Sequence, residues 1–339
     1  MIFVIINVVL FVRIKMYQPP FKLSTEILNL AAEISALVER FVIRLEQTDG
    51  LKLRKANKIK SIHSSLAIEG NSLSEDVVSD IINGKRVLAP KREVIEVKNA
   101  LETYDLYPKL NPFSVKDLLM AHGVMMKGLT LDAGQFRNCN EGVFNGSKCV
   151  HLAPPPNRVP DLMNDLFDWL KKSKDHLLVR SCVFHYEFEF IHPFSDGNGR
   201  VGRLWQSLIL GKLNPAFEFL PVENMVYANQ RKYYNAIAQS TKAGESTPFV
   251  EFMLQNILAT LKKYKNATMA GVNSENDIKL TTRQKAIVDL IQSSEPTVES
   301  LAKKFKVSAR TIARDLSTLQ ELGIIIHDGS RKTGRWLVK

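Results

Sequence analysis

Cysteine is scarce in this sequence. Its 339 residues include three, Cys139, Cys149 and Cys182, which is an odd number without paired spacing. Such a set does not form a disulfide framework and does not supply a four-ligand zinc site. A reducing compartment is the simpler interpretation, and we expect the protein to be cytoplasmic.

A hydrophobic run long enough to span a bilayer is also missing. Residues 1–12 are apolar, but a spanning helix needs about 20 such residues. No basic segment precedes the run and no small-residue cleavage site follows it, so it does not match a signal peptide. We interpret residues 1–16 as an apolar leader. Two explanations stay open: translation begins at Met16 and the earlier start is mis-assigned, or the segment associates with a membrane. No stable membrane insertion is expected.

Strand-like alternation of apolar and polar residues is absent before the C-terminal tail, and the chain has no internal repeats. Apolar residues recur instead at helical spacing. The predicted helices cover about residues 24–46, 75–83, 93–107, 115–127, 159–172 and 177–190. This pattern predicts an all-α fold, and the length of the chain allows two or three packed units.

Acidic residues are outnumbered by basic ones. The 46 Lys and Arg residues against 35 Asp and Glu residues give a net charge of +11. Such a surplus favours a polyanionic partner. Nucleic acid, the phosphates of a nucleotide and an acidic protein surface all stay open at this point.

One segment interrupts the helical pattern. Residues 142–156 contain short apolar pairs around Asn145-Gly146, a dipeptide typical of a β-hairpin turn. The three prolines at 154–156 then end any helix or strand ladder. We predict a small hairpin, or flap, that lines a groove.

A glycine-rich loop concentrates the polar chemistry of the chain. It has the sequence His192-Pro-Phe-Ser-Asp-Gly-Asn-Gly-Arg-Val-Gly-Arg203 and lies between two mostly apolar helical segments. Gly197 and Gly199 lack a Cβ, so the backbone can approach a ligand closely there. The free amides at the start of the second helix form an anion site.

Four side chains of this loop complement one another. Arg200 and Arg203 stand three residues apart on the helix and can both reach the anion. Asp196 offers a hard oxygen ligand suited to a Mg²⁺ ion that bridges phosphates. His192 can change its charge near neutral pH and act as a general base. Together they predict a site of phosphoryl or nucleotidyl transfer.

Other interpretations of the loop fit less well. Its spaced glycines match the dinucleotide-binding pattern, but that motif must follow a strand in a βαβ unit, and none is predicted here. The loop also lacks the Gly-Lys-Ser/Thr ending of a P-loop. His185 and His192 lack the four-residue spacing used by zinc hydrolases, and His185 is interpreted as a helix histidine with satisfied hydrogen bonds.

The loop resembles the signature of the Fic-domain adenylyltransferases, His-Pro-Phe-x-Asp-Gly-Asn-Gly-Arg-x-x-Arg, at every fixed position. The resemblance implies a Fic helical bundle that uses ATP and Mg²⁺. It implies that His192 deprotonates a target hydroxyl and that Asp196 binds Mg²⁺. The phosphate-binding roles fall by resemblance on Gly197, Asn198, Gly199, Arg200 and Arg203.

The same resemblance extends to the reaction and to the surrounding segments. The phosphorylating branch of the family usually carries Ala and Lys in place of the two glycines, so AMP transfer is favoured, with phosphocholine transfer as a further option. The flap resembles the family's hairpin, which pairs with the target's backbone, and Val150 and His151 are its candidate contacts. Tyr233 resembles a position beside the adenine, although core packing explains it nearly as well.

Upstream, Ser65-Leu-Ala-Ile-Glu69-Gly-Asn resembles the inhibitory motif of this family, Ser/Thr-x-x-x-Glu-Gly/Asn. A carboxylate of Glu69 presented to Arg203 would form a charge-assisted pair in the place of the γ-phosphate and leave ATP bound wrongly for in-line attack. Because the motif lies in the same chain, we expect inhibition in cis. A capped helix end with Glu69 in solvent stays open, as does the direction of the reaction, AMPylation or removal of AMP.

The C-terminal sequence predicts three helices, at about 282–292, 297–305 and 309–322, and then a hairpin of strands 324–327 and 335–338. This order resembles a winged helix-turn-helix. Several polar side chains on the third helix and the hairpin suit DNA phosphates and groove edges; they are Arg310, Thr311, Arg314, Arg331, Lys332 and Arg335. Docking or dimerisation of proteins is the alternative role.

The predicted organisation has five parts: the leader 1–16, an N-terminal helical region 17–110 with the inhibitory motif, a Fic catalytic core 111–262, a linker 263–278 and a winged helix-turn-helix 279–339. The predicted function is transfer of AMP from ATP to a Ser, Thr or Tyr hydroxyl of a target protein or of the chain itself. The alternative is a DNA-binding transcriptional regulator with a nucleotide-sensing Fic domain. Predicted partners are the target protein, DNA or a protein at residues 279–339, and a second copy of the chain in a homodimer.

Overall fold

The computed structural model describes residues 17–45, 50–145, 148–220, 222–272, 281–294, 296–321, 324–328 and 335–338. The chain divides into two units between Lys265 and Asn266. Over the described residues each unit is helical and carries one antiparallel sheet of two strands. The all-α fold with a small hairpin, expected from the sequence, is confirmed.

The first unit is built from helices α1 to α10, most of α11 and the strands β1 and β2. In chain order the elements are α1 (Thr25–Leu45), α2 (Gly50–Ile68), α3 (Glu75–Ile82), α4 (Lys91–Leu106), α5 (Val115–Met125), β1 (Gly142–Asn145), β2 (Lys148–Leu152), α6 (Val159–Lys172), α7 (Leu177–Ile191), α8 (Asn198–Leu213), α9 (Val222–Ala228), α10 (Gln230–Ala243) and α11 (Thr247–Val272). The periodicity of apolar residues placed α1 and α3 to α7 within a few residues of these bounds.

Helices α7 and α8 form the centre of the first unit. Most side chains of both helices are buried, and those of Phe184, Phe188 and Trp205 are fully enclosed. A helix that is buried on all sides belongs in the core of a protein. The glycine-rich loop is therefore held at both ends by the most buried elements of the fold.

Helix α2 carries Ser65 of the predicted inhibitory motif, and Glu69 follows directly after its last residue. Its first half is rich in basic residues. Ile62 and Leu66 pack against helices α3 and α4 in a small separate apolar cluster, whereas Ile68 belongs to the main core. The end of α2 thus lies between two apolar clusters.

The predicted hairpin is present as the antiparallel pair of β1 and β2. Val143 lies opposite His151, and the register shifts between Val143 and Phe144. At the base of the hairpin, the N–H of Ala153 donates to the carbonyl of Glu141 at 3.1 Å.

The second unit contains α12 (Thr282–Ser293), α13 (Val298–Phe305), α14 (Ala309–Glu321), β3 (Ile325–Asp328) and β4 (Arg335–Val338). Ser308 caps α14, because its hydroxyl accepts the N–H of Thr311 at 3.2 Å. Arg283 donates through Nε to the buried carboxylate of Asp315 at 2.6 Å and so joins α12 to α14. Three helices followed by a hairpin form the winged helix-turn-helix that the sequence predicted.

Helix α11 continues to Val272, into the segment predicted as a linker. The extension has a physical reason, since that segment contains Lys, Ala and Met, which are good helix formers, and meets its first glycine at Gly271. Residues 273–280, the apolar leader, Arg331 and Lys332 lie outside the described residues. In the described part of the chain, no helix is both long enough and apolar enough to cross a membrane.

Candidate active site

His192 follows the last residue of α7 in a left-handed backbone conformation, with φ 51° and ψ 62°. Among the described residues, Lys306 is the other non-glycine residue with a positive φ. This conformation is costly for a residue with a side chain, and such residues concentrate at functional sites. The turn at His192 leads the chain out of α7 and into the glycine-rich loop.

Asn198 braces the loop from within. Its Oδ1 accepts the N–H of Phe194 at 2.9 Å, and its Nδ2 donates to the carbonyl of Phe194 at 2.7 Å. The side chain is 3% exposed and is engaged within the loop. Asn198 also opens α8, so its backbone N–H is one of the amides that a helix leaves without an internal partner.

His122, on α5, packs against the glycine-rich loop. Its ring stacks on Phe194 with centroids 3.6 Å apart. Its Nδ1 accepts the N–H of Gly134 at 2.9 Å, so the proton lies on Nε2, which donates to the carbonyl of Asp196 at 3.0 Å. Burial lowers the pKa of His122, which favours this neutral form. No motif around His122 singled out this histidine.

The carboxylate of Asp196 is surrounded by N–H donors. Oδ1 accepts from the backbone of Gly197 at 2.6 Å and from Nη2 of Arg200 at 2.7 Å. Oδ2 lies 3.5 Å from Nη2 of Arg92, on α4. The Asp196 side chain is 39% exposed, so a solute can reach it.

This carboxylate suits a magnesium ion that arrives with a nucleotide. No group of three or more His, Cys, Asp or Glu side chains that could hold a metal ion occurs in the described residues. Mg²⁺ commonly takes one or two carboxylates and completes its shell with phosphate oxygens and water. The single accessible carboxylate of Asp196, beside the start of α8, fits an ion of that kind.

Arg203 contacts both predicted inhibitory residues. Its Nη2 donates to Oε1 of Glu69 at 2.7 Å, to the carbonyl of Ser65 at 3.0 Å and to the hydroxyl of Ser65 at 3.4 Å. Arg203 is 1% exposed, whereas Glu69 is 32% exposed. Burial lowers the pKa of Arg203, but the charge of Glu69, followed by the charge of Tyr233 and the hydrogen bond to Glu69, raises it overall.

Gly199 allows this contact by its lack of a side chain. A Cβ at this position would lie 2.5 Å from Oε1 of Glu69 and 2.9 Å from Nη1 of Arg203. At Gly197, φ is 86° and a Cβ would lie 2.7 Å from the sulfur of Met126. A side chain at either position would therefore displace the ends of neighbouring side chains, and at Gly197 the positive φ also favours glycine.

His185, Gln206 and Tyr233 form a buried hydrogen-bonded cluster near Arg203. Nδ1 of His185 lies 2.6 Å from Oε1 of Gln206, and Nε2 of His185 lies 3.1 Å from the hydroxyl of Tyr233. Burial lowers the pKa of His185 to about 4 and raises that of Glu189 to about 7. Tyr233 is 2% exposed, whereas its neighbour Tyr234 is 49% exposed. His185 is the satisfied helix histidine that the sequence suggested.

Val150 and His151 lie on β2, and their side chains fall outside the described part of the structure. Three residues that contact the loop were not found from the sequence: Arg92, His122 and Arg137, whose Nε donates to the carbonyl of His192 at 2.7 Å. Each is a single polar residue, distant in sequence from the glycine-rich loop and without a motif around it.

Comparison with known proteins places this site in a family. Residues 112–210 match the Fic/DOC family, and residues 283–334 match an HTH domain. The crystal structure of a Fic family protein from Desulfovibrio desulfuricans G20 is 39% identical, with a TM-score of 0.73, over 95% of this chain and 98% of that chain. The chain belongs to the Fic family.

Curated Fic relatives carry the name of one activity. The chain is 29% identical over 233 residues to the protein adenylyltransferase Fic of Nematostella vectensis, covering 64% of this chain and 52% of that protein. It is 27% identical over 248 residues to the protein adenylyltransferase fic-1 of Caenorhabditis elegans, covering 68% of this chain and 46% of the relative. This Fic chain therefore spans about half the length of the curated relatives it matches.

Proposed function

We propose that this Fic protein transfers AMP from ATP to a Ser, Thr or Tyr hydroxyl of a target protein or of itself, and that Glu69 inhibits the reaction in cis. The observation that carries the proposal is the contact of the glycine-rich loop with Glu69. There a carboxylate already lies against Gly199 and Arg203, at the anion site that the loop would offer to a nucleotide.

The donors of the loop support an anionic ligand. Nε of Arg200 and Nε of Arg203 are buried and make no hydrogen bond within the described residues. A buried donor without a partner is costly, so such groups call for an explanation. The amides of the first turn of α8 add partial positive charge at the same end of the helix. Nucleotide phosphates would satisfy both sets of donors.

These positions support the following reaction. The target hydroxyl oxygen attacks the α-phosphorus of ATP, and its proton passes to His192. A bond forms between that oxygen and the α-phosphorus, the bond to the β-phosphate oxygen breaks, and pyrophosphate leaves. Arg200 and the α8 amides stabilise the charge that develops on the phosphate oxygens. Mg²⁺ bound at Asp196 would supply neutralisation of the phosphate charge.

The inhibition has a simple electrostatic reason. Arg203 can donate Nη2 either to the γ-phosphate or to Glu69, and in this structure it donates to Glu69 and Ser65. With Glu69 in place, the γ-phosphate would meet a carboxylate instead of a guanidinium. The two negative charges repel each other at this distance, so the phosphate is excluded from that position. ATP then binds with its phosphates displaced from the line of attack.

The test uses the Glu69→Gly variant incubated with ATP labelled at the α-phosphate and, separately, at the γ-phosphate. Incorporation of the α-label alone, with a mass increase of one AMP on the modified protein, is expected. Glu69→Gly combined with His192→Ala is the matched control and should lose the signal. Incorporation of the γ-label instead would replace AMP transfer by phosphorylation, and equal rates for Glu69→Gly and the unmodified chain would remove Glu69 as the inhibitor.

A specific observation favours a second function, DNA binding by the winged helix-turn-helix. The match to an HTH domain covers residues 283–334. Arg310 and Arg314 stand one turn apart on α14, and both side chains are exposed. Their spacing places two cations on one face of the helix that enters the major groove in such modules.

Retention of the full chain on duplex DNA over a series of salt concentrations tests this function. We expect binding at low salt that weakens steeply as salt rises, and that Arg310→Ala with Arg314→Ala reduces. Lys171→Ala with Lys172→Ala removes the same charge from the first unit and serves as control. Absence of retention at low salt would leave protein docking as the role of the module.

A further inference from the structure

Arg137 is a buried cation that hydrogen-bonds to the backbone of two separate segments. It lies between α5 and β1 and is 2% exposed. Its side chain donates to four carbonyl oxygens; they are His192 at 2.7 Å through Nε, Cys139 at 2.8 Å through Nη1, and Pro154 at 2.6 Å and Ile191 at 3.3 Å through Nη2. Its backbone N–H donates to the carbonyl of Pro193 at 3.0 Å.

These partners belong to two functional parts of the fold. Ile191, His192 and Pro193 form the turn that gives His192 its left-handed conformation. Cys139 precedes the hairpin of β1 and β2, and Pro154 follows it. One guanidinium therefore ties the base of the hairpin to the backbone of His192.

The chemistry of this contact requires arginine. A guanidinium presents five N–H donors in a fixed plane, whereas a lysine ammonium offers three donors at one point. No carboxylate forms a salt bridge with Arg137 within the described residues. Burial lowers the pKa of Arg137 and the nearby charge of Glu141 opposes that effect, so carbonyl dipoles and one neighbouring carboxylate offset the cost of burying this cation. An apolar side chain of similar size would fill the same space without that cost, which favours a role beyond packing.

We propose that Arg137 is a positioning residue that fixes the distance between the hairpin and His192. The inference rests on the proposed function, in which His192 accepts the proton of the target hydroxyl, and on the resemblance by which the hairpin would pair with the target's backbone. Loss of the guanidinium would let the two segments shift independently. Because transfer depends on alignment at the level of about 1 Å, the rate should fall while nucleotide binding stays intact.

The test introduces Arg137→Lys and Arg137→Met into the Glu69→Gly chain. Both variants should keep ADP affinity and KM for ATP within about twofold, while the initial rate of AMP transfer at saturating ATP falls at least tenfold. Amide hydrogen exchange should rise in residues 142–152 and stay unchanged in α8. Arg180→Lys is the matched control, since Arg180 also donates to a carbonyl, that of Leu170 at 2.6 Å, on another part of the unit.

Two results would overturn the proposal. One is a transfer rate for Arg137→Lys equal to that of Arg180→Lys. The other is a parallel loss of rate, ADP affinity and melting temperature in both Arg137 variants, which would mean general destabilisation. Hydrogen exchange reports on the hairpin without any reaction, so unchanged exchange in residues 142–152 refutes the positioning role even if the chain transfers no AMP.

Discussion

The guanidinium of Arg203 and the carboxylate of Glu69 form an ion pair, with Nη2 2.7 Å from Oε1, in which the arginine is almost fully enclosed and the glutamate is partly open to solvent. The pair couples the end of α2 to the first turns of α8. Its prediction concerns binding and needs no turnover. If Glu69 excludes the γ-phosphate, that phosphate should add no affinity for the unmodified chain.

We therefore expect a non-hydrolysable ATP analogue and ADP to raise the melting temperature of the unmodified chain by similar amounts. In Glu69→Gly the analogue should raise it by several degrees more than ADP, because a ligand at free concentration L stabilises the folded state by RT ln(1 + L/Kd), which increases as Kd falls. Glu102→Gly, an exposed change on α4, should behave like the unmodified chain. An equal difference between analogue and ADP in all three proteins would contradict the exclusion.

Gly199 gives a second prediction, on stability. In the unmodified chain, Gly199→Ala places a methyl group 2.5 Å from Oε1 of Glu69 and should lower the free energy of unfolding by about 1–3 kcal/mol. In the Glu69→Gly background the same change should cost much less, because Oε1 is gone and the Arg203 side chain, whose Nη1 lies 2.9 Å from the added Cβ, is released from its ion pair and can shift. The preference of a helix for alanine over glycine acts in the same direction. Urea denaturation of the four proteins measures the coupling, and additive effects would refute it.

Arg92 gives a third prediction, on metal binding. Its guanidinium lies 3.5 Å from the Asp196 carboxylate and 3.4 Å from Oε1 of Glu96. Because a cation beside a carboxylate disfavours a second cation, Arg92→Gln should bind Mn²⁺ in the presence of ADP several-fold more tightly. Calorimetric titration measures this, with Lys98→Gln, exposed on the same helix, as the control of equal charge. Affinity no tighter than that of the control would show that Arg92 does not compete for the site.

Glu187 gives a prediction on pH. Its Oε2 accepts the hydroxyl of Tyr17 at 3.1 Å, and burial raises its pKa from 4.5 to about 7. Because the folded state favours the protonated form, the contribution of this group is fully present below about pH 4.5 and is lost as pH rises through about 7. Relative to Glu187→Gln, the unmodified chain should lose about 2 kcal/mol of unfolding free energy between pH 5 and pH 8.

Urea unfolding of the unmodified chain, Glu187→Gln and Glu102→Gln at several pH values measures this difference. The Glu102→Gln change alters an exposed carboxyl and should leave the pH profile unchanged. Comparison with a variant is needed because His185 has the opposite effect on the free energy of unfolding. Its pKa is lowered to about 4, so the folded state loses stability as pH falls below 6.5, the ordinary pKa of histidine. A pH-independent difference between the unmodified chain and Glu187→Gln would refute the prediction.

Local patterns account for what could be predicted from the sequence. Amphipathic periodicity gave α1 and α6, and the Asn145-Gly146 turn gave the hairpin. Periodicity did not place helix α2, because its charged first half has little apolar periodicity and its helix depends on packing of Ile62 and Leu66 against other elements. Only the resemblance of residues 65–69 to an inhibitory motif indicated a helix there. Tertiary packing therefore stabilises a helix that the local apolar pattern does not predict.

The site divides in the same way. The glycine-rich loop could be located because its residues are contiguous. The pairing of Glu69 with Arg203 was predicted from the resemblance to the Fic family. Arg92, His122 and Arg137 could not be found, because each reaches the loop only through tertiary packing. The engagement of the Asn198 side chain with Phe194 was equally hidden, since a motif shows which residue is present and not which way its amide turns.

Gly199 has one more consequence. A side chain at this position would meet Oε1 of Glu69 at 2.5 Å and Nη1 of Arg203 at 2.9 Å. Under the proposed function, a change at position 199 would therefore alter the contact with Glu69 and the phosphate site together. The contacts of Ile62 and Leu66 with α3 and α4 involve no residue of the glycine-rich loop, so a change there would alter the approach of Glu69 and leave the proposed nucleotide site intact.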